Sequence, residues 1–223
     1  MTPINYMKLT PDHIQSARRH LRAADPVMKA IIDAVGPYTL RFERDRFAML
    51  VRSIVSQQIS TSAARAIRRR LQELAGPQGL TAENLARFGM GDLRSVGLSP
   101  QKASYVADLA CKVNDGTVDL RRIGRLPDED VVQTLTQVKG IGRWTAQMFL
   151  IFSLGRPDVF PHDDLGVRTA IRDRYGLDEL PDKETSHAIA APWRPYASVA
   201  SWYCWRSLDL ARNTETVAKG YPS

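Results

Sequence analysis

The sequence has little cysteine and no long hydrophobic run. Its two cysteines, Cys111 and Cys204, are too few for a disulfide framework and lack the spacing of a metal site. An iron–sulfur cluster, which usually needs four cysteine ligands, is therefore not expected. The N-terminus has no apolar signal core, and the most apolar stretch, AQMFLIFSLG, is about half the length that spans a bilayer. These shortages predict a protein of a reducing bacterial cytosol with no membrane role.

Acidic residues are in deficit as well. The 223 residues include 24 Asp and Glu against 31 Lys and Arg, which gives a formal net charge of +7. The excess is mostly arginine, whose guanidinium group matches phosphate oxygens, and this favours a polyanionic partner. A basic enzyme without such a partner would have the same composition, so the charge alone leaves both interpretations open.

Sustained period-two alternation is absent too, and helical spacing takes its place. The stretch RDRFAMLVRSIVSQQIS carries apolar residues at i, i+3, i+4 and i+7. Thr10-Pro11, Asp25-Pro26 and Ser99-Pro100 are typical helix starts, with a capping side chain followed by proline at the first helical position. The pattern predicts an all-α protein of about ten helices.

Two glycines, Gly140 and Gly142, lie between two predicted helices in LTQVKGIGRWTAQMF. A plain helix–helix turn needs only one glycine. Two glycines let backbone amides approach a surface without an intervening Cβ, at a helix N-terminus where the helix dipole favours an anion. Lys139 and Arg143 flank the turn with positive charge. The motif therefore predicts a phosphate site, with a plain turn as the alternative.

Two other stretches are weaker candidates for DNA contact. SQQIS is a polar break between helices in which Gln57 and Gln58 could probe a duplex, although a solvated loop has the same pattern. SVGLSPQKASYV resembles the hairpin in having Gly97 at a turn and Lys102 in the next helix. That pattern is equally typical of a turn followed by a helix cap.

The stretch VFPHDDLGVR delivers His162, Asp163 and Asp164 to a predicted helix start. One aspartate can cap the helix while the other faces a cleft. The three side chains could also bind a metal, but the other histidines lack partner spacing and a catalytic metal is not expected.

Aromatic residues crowd into WRPYASVASWYCW near the C-terminus. Such a cluster at helical spacing is usually core, and its functional alternative is a stacking wall for a planar, cationic ligand. Trp144 and Met148, one helical turn apart, could form the opposite wall.

These motifs together resemble the helix-hairpin-helix-Gly/Pro-Asp superfamily of DNA glycosylases. GIGRWTA, VFPHDDLGVR, SQQIS and WRPYASVASWY stand in the order and spacing of its 3-methyladenine DNA glycosylase II (AlkA) type, over about residues 45–212. The resemblance implies two helical subdomains with the active-site cleft between them, namely 46–156 with the hairpin, and 1–45 together with 157–223. It implies a monomer that excises alkylated purines from double-stranded DNA without a catalytic cofactor.

The resemblance also implies roles for individual residues. Asp164 takes the place of the catalytic aspartate, and Asp163 that of a less critical neighbour that caps the helix. Trp144 stands where lyase members carry a Schiff-base lysine, so no strand cleavage is expected. Gln58 stands where the family inserts a wedge. The implied base-binding residues are Trp144, Met148, Asp163, Leu165, Trp202 and Tyr203. The implied DNA-binding residues are Gln57, Gln58, Ser60, Lys102, Lys139, Gly140, Gly142, Arg143 and Thr145. The carbonyls of Thr136, Val138 and Ile141 are implied to hold a structural monovalent cation.

Three departures from the longer AlkA-type members bear on substrate range. The N-terminal segment leaves no room for their β-sheet domain, Met148 replaces an aromatic residue, and Gln58 replaces an apolar wedge. Three alternatives stay open: a glycosylase for oxidised or mismatched bases, a non-catalytic DNA-binding protein, and a metal-dependent phosphodiesterase that uses His162, Asp163 and Asp164.

Overall fold

The computed structural model describes residues 8–218, with side chains for residues 8–212. Over this range the protein is helical and contains no strand, which confirms the predicted fold class. None of the helices in that range combines the length and the apolar content that crossing a membrane requires. The α-helices are α1 (Pro11–Ala24), α2 (Pro26–Val35), α3 (Arg46–Ser56), α4 (Thr61–Ala75), α5 (Ala82–Leu85), α6 (Met90–Ser95), α7 (Pro100–Asn114), α8 (Asp128–Thr136), α9 (Arg143–Phe149), α10 (Leu165–Tyr175), α11 (Lys183–Ala190) and α12 (Ala197–Ala218).

The predicted helix starts coincide with side-chain caps. Thr10 caps α1, Asp25 caps α2, Ser60 caps α4 and Ser99 caps α7, each by accepting a backbone N–H from the first turn. The α-helices within residues 8–218 number twelve, against about ten predicted, and α5 and α6 are the shortest of them.

The chain forms two compact units. The first contains Phe42–Leu154, and the second combines residues 8–41 with residues 155–218. In the first unit, α7 packs against α3, α5 and α6, while α9 packs against α3 and α8. The apolar residues that the sequence places at helical spacing in α3 are all buried in this core: Phe47, Leu50, Val51, Ile54 and Val55. After Phe149, α9 continues as a π-helical turn, Leu150–Leu154.

In the second unit, α12 packs against α1, α2 and α10. The buried carboxylate of Asp25 joins α2 to the end of α10 and to Trp193. Its Oδ1 accepts the N–H groups of Val27 at 2.8 Å and Met28 at 3.0 Å, which caps α2. Its Oδ2 accepts from Trp193 Nε1 at 2.9 Å and from the hydroxyl of Tyr175. Burial and this carboxylate raise the pKa of Tyr175, so the phenol stays a donor.

Replacing Asp25 should therefore destabilise the protein much more than loss of an ordinary cap. We expect Asp25→Ala to cost about 3 kcal/mol or more, because Trp193, Tyr175 and two backbone N–H groups lose a buried acceptor. The matched control is Asp182→Ala, which removes the exposed cap of α11 and should cost about 1 kcal/mol. Urea unfolding measures both, and equal losses would contradict the role given to Asp25.

Candidate active site

The hairpin between α8 and α9 uses its two glycines for different reasons. Gly140 has φ +78°, and a Cβ built on it would lie 2.0 Å from Cδ2 of Tyr105. Both the left-handed backbone and the close ring therefore require glycine there. Gly142 is the N-cap of α9 with φ −94°, and a Cβ on it would meet no atom of the described residues within 4 Å. The fold explains the glycine at 140 and does not explain the one at 142.

The residues that flank the hairpin are held by acidic side chains. The guanidinium of Arg143 donates two hydrogen bonds to Glu129, at 2.9 and 2.5 Å, and this contact lowers the pKa of Glu129. The backbone N–H of Lys139 donates to Asp108 Oδ2 at 2.8 Å, while its side chain is exposed. Thr145, in the first turn of α9, is buried. The ammonium of Lys139 therefore faces solvent, whereas the charge of Arg143 is matched by a carboxylate.

A cavity of about 530 Å³ opens on the first unit, a volume within the usual range of small-molecule pockets. It brings together two predicted features, because the indole of Trp144, 44 % exposed, and the SQQIS segment both line it. Its lining residues are Met49, Arg52, Ser53, Ser56, Gln57, Gln58 and Trp144. The lining residues Met49, Arg52 and Ser53, on α3, were not predicted from the sequence. They lie one to two helical turns before SQQIS, and this spacing along one helix could have predicted that they share a surface with it.

The SQQIS segment is fixed to the hairpin. The side-chain amide of Gln57 donates to the carbonyl of Gly140 at 2.8 Å. Gln58 is exposed and has φ +53°, a left-handed conformation that is rare for residues other than glycine. The hydroxyl of Ser60 accepts the N–H of Ala63 at 3.3 Å and caps α4.

In the second unit, Asp164 occupies the start of α10. It is 8 % exposed, and its Oδ1 accepts the N–H of Val167 at 2.8 Å and Nε1 of Trp205 at 2.7 Å. A Cβ at Gly166 would lie 2.9 Å from Cδ1 of Trp205, so glycine permits this approach. The sequence places Trp205 in the aromatic cluster but does not predict its contact with the aspartate. A buried carboxylate with two donors on one oxygen has a fixed orientation.

The prediction that Asp163 caps the helix is wrong. The first helical residue is Leu165, so the cap position falls on Asp164, and it is Asp164 that accepts the N–H of Val167. The side chain of Asp163 is 70 % exposed and lies 3.3 Å from Nε2 of His162. Leu165 is 64 % exposed. No group of three or more His, Cys, Asp or Glu side chains within the described part of the chain could hold a metal ion.

The other predicted base-binding residues are buried. Trp202 packs against Tyr38, with ring centroids 4.5 Å apart, and edge-on against Tyr203 at 4.9 Å. Tyr203 has no exposed surface and donates its hydroxyl proton to the carbonyl of Gly36 at 3.0 Å. Met148 is buried in the first unit. The structure thus places Trp202 and Tyr203 in the core of the second unit, and base binding by these rings stays a prediction.

Comparison with known proteins agrees with this arrangement. A family model described as "HhH-GPD superfamily base excision DNA repair protein" matches residues 51–195. DNA-3-methyladenine glycosylase 1 of Schizosaccharomyces pombe is 32 % identical over 209 residues, with 92 % of each chain covered.

Two solved structures are also similar to this chain. The 3-methyladenine DNA glycosylase Mag1 of Schizosaccharomyces pombe, in complex with abasic DNA, has a TM-score of 0.80 at 32 % identity, covering 88 % of this chain and 98 % of that one. The DNA-3-methyladenine glycosidase of Bacillus halodurans has a TM-score of 0.78 at 33 % identity, covering 92 % of each chain. Both structures are therefore similar to this chain in sequence and in fold over most of its length.

The two hairpin glycines should respond differently to alanine. Gly140→Ala should lower the free energy of unfolding by about 2 kcal/mol or more, because the Cβ overlaps Tyr105 and the left-handed backbone is strained. Gly142→Ala should lower it by about 1 kcal/mol or less, because only a favourable N-cap residue is lost. Thermal melting of the two variants gives the comparison, and similar losses would show that the fold needs both glycines.

Proposed function

The chain belongs to the HhH-GPD superfamily of base excision DNA repair proteins, and we propose that it is a monofunctional DNA glycosylase. It acts as a monomer on double-stranded DNA and releases alkylated purines of the 3-methyladenine and 7-methylguanine type. The observation that carries this proposal is the buried carboxylate of Asp164, oriented by α10 and Trp205. Relatives named as 3-methyladenine DNA glycosylases support it, as does one solved with abasic DNA, the product that base loss leaves.

The cavity beside Trp144 is the proposed binding place for the displaced base. A base inside a duplex cannot be reached by a catalytic group, so the target nucleotide must leave the stack. An alkylated purine carries positive charge, and the exposed face of an indole attracts a planar cation. Gln58, exposed beside the same cavity, fills the gap that the base leaves in the duplex.

Asp164 is the proposed catalytic residue. The alkylated base is already a cationic leaving group, so the glycosidic bond breaks with its electron pair going to the base, without a general acid. The sugar then resembles an oxocarbenium ion, which a fixed carboxylate stabilises electrostatically. Water adds to C1′ and loses a proton, and Asp164 helps to orient or deprotonate it. The two hydrogen bonds from Val167 and Trp205 keep the carboxylate oriented for this task.

The strand is expected to stay intact. Members of the family with lyase activity form a Schiff base through a lysine at the position that Trp144 occupies here. An indole cannot form a Schiff base, because its nitrogen is not a nucleophilic amine. The product is therefore an abasic site rather than a strand break.

The hairpin is the proposed grip on the DNA backbone. Within the described residues no atom lies within 4 Å of a Cβ at Gly142, so a phosphate can approach the N-terminus of α9 there. Such a contact positions the duplex without reading its sequence. We further propose that the carbonyls of Thr136, Val138 and Ile141 hold a monovalent cation, since neutral oxygens suit a hard cation. The turn already brings two of these residues together, because the N–H of Ile141 donates to the Val138 carbonyl at 3.1 Å.

Asp164→Asn should abolish most of the activity. Loss of the negative charge should slow base release by on the order of a thousandfold or more. Asparagine keeps an acceptor for Val167 and Trp205, so the variant should melt near wild type. The matched control is the exposed neighbour in Asp163→Asn, which should stay within about threefold of wild type. Free base released from methylated duplex is measured. Near-full release by a folded Asp164→Asn variant would refute the assignment.

Gly142→Ala should weaken DNA binding while the protein stays folded. A Cβ at this position separates the α9 amides from a phosphate, and we expect about a tenfold loss of affinity for undamaged duplex. Gly91→Ala is the control, because that glycine lies in α6 and a Cβ there also meets no described atom within 4 Å. Fluorescence anisotropy compares the two, and equal affinities would remove the argument for a phosphate at Gly142.

A further inference from the structure

The loop that carries Gln58 is held in an unfavourable conformation. We call residues 57–60, between α3 and α4, the Gln58 loop. Gln58 has φ +53°, which costs a non-glycine residue on the order of 1–3 kcal/mol. Such a conformation persists only where surrounding contacts impose it. The contacts that hold this loop therefore decide where Gln58 points.

Lys102, on the first turn of α7, supplies the strongest of these contacts. Its ammonium donates to the carbonyl of Val55 at 2.7 Å and to the carbonyl of Gln57 at 2.5 Å. Both oxygens lie at the C-terminal end of α3, where helix carbonyls lack intrahelical partners and a cation is favourable. Partial desolvation lowers the pKa of Lys102, in keeping with an ammonium directed inward. The positive charge of Lys102 is thus directed at two carbonyl oxygens of the protein itself.

The same loop is attached to the hairpin. Gln57 follows α3 and donates its side-chain amide to the carbonyl of Gly140 at 2.8 Å. Its own carbonyl is the one that Lys102 holds. A single residue therefore joins the ammonium on α7 to the hairpin turn.

One face of α7 contacts both the Gln58 loop and the hairpin. Residues spaced three or four apart share a helix face. The residues of this face that contact the Gln58 loop or the hairpin are Lys102, Tyr105, Asp108 and Lys112. Tyr105 packs against Gly140, and Asp108 accepts the N–H of Lys139 at 2.8 Å. The Gln58 loop and the hairpin are therefore fastened side by side to one rigid helix.

We propose that Lys102 is a positioning residue that sets Gln58 relative to the hairpin, and that it controls base displacement without contacting DNA itself. The inference rests on the proposed function, because it gives the Gln58 loop the task of filling the duplex. It replaces the direct DNA contact that the sequence suggested for Lys102. A loop fixed in advance loses less conformational entropy when it enters the duplex, so Lys102 favours displacement.

Two measurements separate this role from a phosphate contact. The salt dependence of affinity for undamaged duplex counts the phosphates that a protein neutralises, and loss of one contact lowers the slope by about one. Fluorescence of 2-aminopurine placed as the target base in a duplex reports unstacking directly, without catalysis. The variants are Lys102→Met, which keeps the aliphatic stem, and Lys102→Arg, which keeps a donor for both carbonyls. Lys139→Met is the charge-matched control, because that ammonium is exposed beside the hairpin.

We expect Lys102→Met to keep the wild-type salt slope and affinity for undamaged duplex. It should reduce the 2-aminopurine signal and the single-turnover rate of base release by about tenfold, the effect of losing a hydrogen bond to a charged group. Lys102→Arg should restore both. Lys139→Met should lower the salt slope by about one while changing displacement only in proportion to binding.

A Lys102→Met variant whose salt slope falls by about one, with displacement reduced only in proportion to affinity, would overturn the inference in favour of a direct phosphate contact. Wild-type displacement by a folded Lys102→Met variant would overturn it as well. If that variant melts early, Lys102→Gln, which keeps an N–H donor for one of the two carbonyls, should retain part of the displacement with a wild-type salt slope. The proposed function is tested separately, by release of methylated bases. It fails if wild type unstacks 2-aminopurine but releases no methylated base. The inference about Lys102 fails if wild type releases methylated bases and Lys102→Met displaces the base as well as wild type does.

Discussion

The contact between the ring of Tyr105 and the backbone of Gly140 is the constraint on which the DNA-facing part of the first unit depends. The ring occupies the space where any other residue would place a Cβ, and the turn takes a left-handed backbone there. In this conformation the carbonyl of Gly140 accepts from Gln57, and Gly142 follows as the open N-cap of α9. The proposed phosphate site and the proposed wedge loop are therefore both connected to the packing of this turn against α7.

Asp164 caps a helix and is also the proposed catalytic residue. Capping a helix and serving as a catalytic carboxylate look like competing explanations for an aspartate at a helix start. Here one oxygen accepts both the N–H of Val167 and the indole N–H of Trp205, and those contacts are what orient the group. In the proposed mechanism, a cap of this kind preorganises the carboxylate before substrate arrives, so no reorganisation is needed when positive charge develops on the sugar.

Most of the fold was predictable because its signals are local. Capping residues such as Ser60 mark helix starts within a few positions, and helical spacing marks the buried face of α3. What the sequence could not indicate depends on tertiary contacts. The ammonium of Lys102 donates to carbonyls 45 and 47 positions away in the chain, and no local pattern predicts those hydrogen bonds. Trp202 and Trp205 belong to one aromatic run, and only packing of α12 decides that the first is core and the second meets the aspartate.

The products formed from a methylated duplex test the central claim most directly. Wild-type protein would be incubated with the duplex in EDTA, followed by mass spectrometry of the small molecules and a denaturing gel of the strands. We expect free 3-methyladenine and 7-methylguanine, with strands that stay whole until alkali cleaves the abasic sites. Strand breaks without alkali, or tight binding with no free base, would contradict a monofunctional glycosylase for alkylated purines.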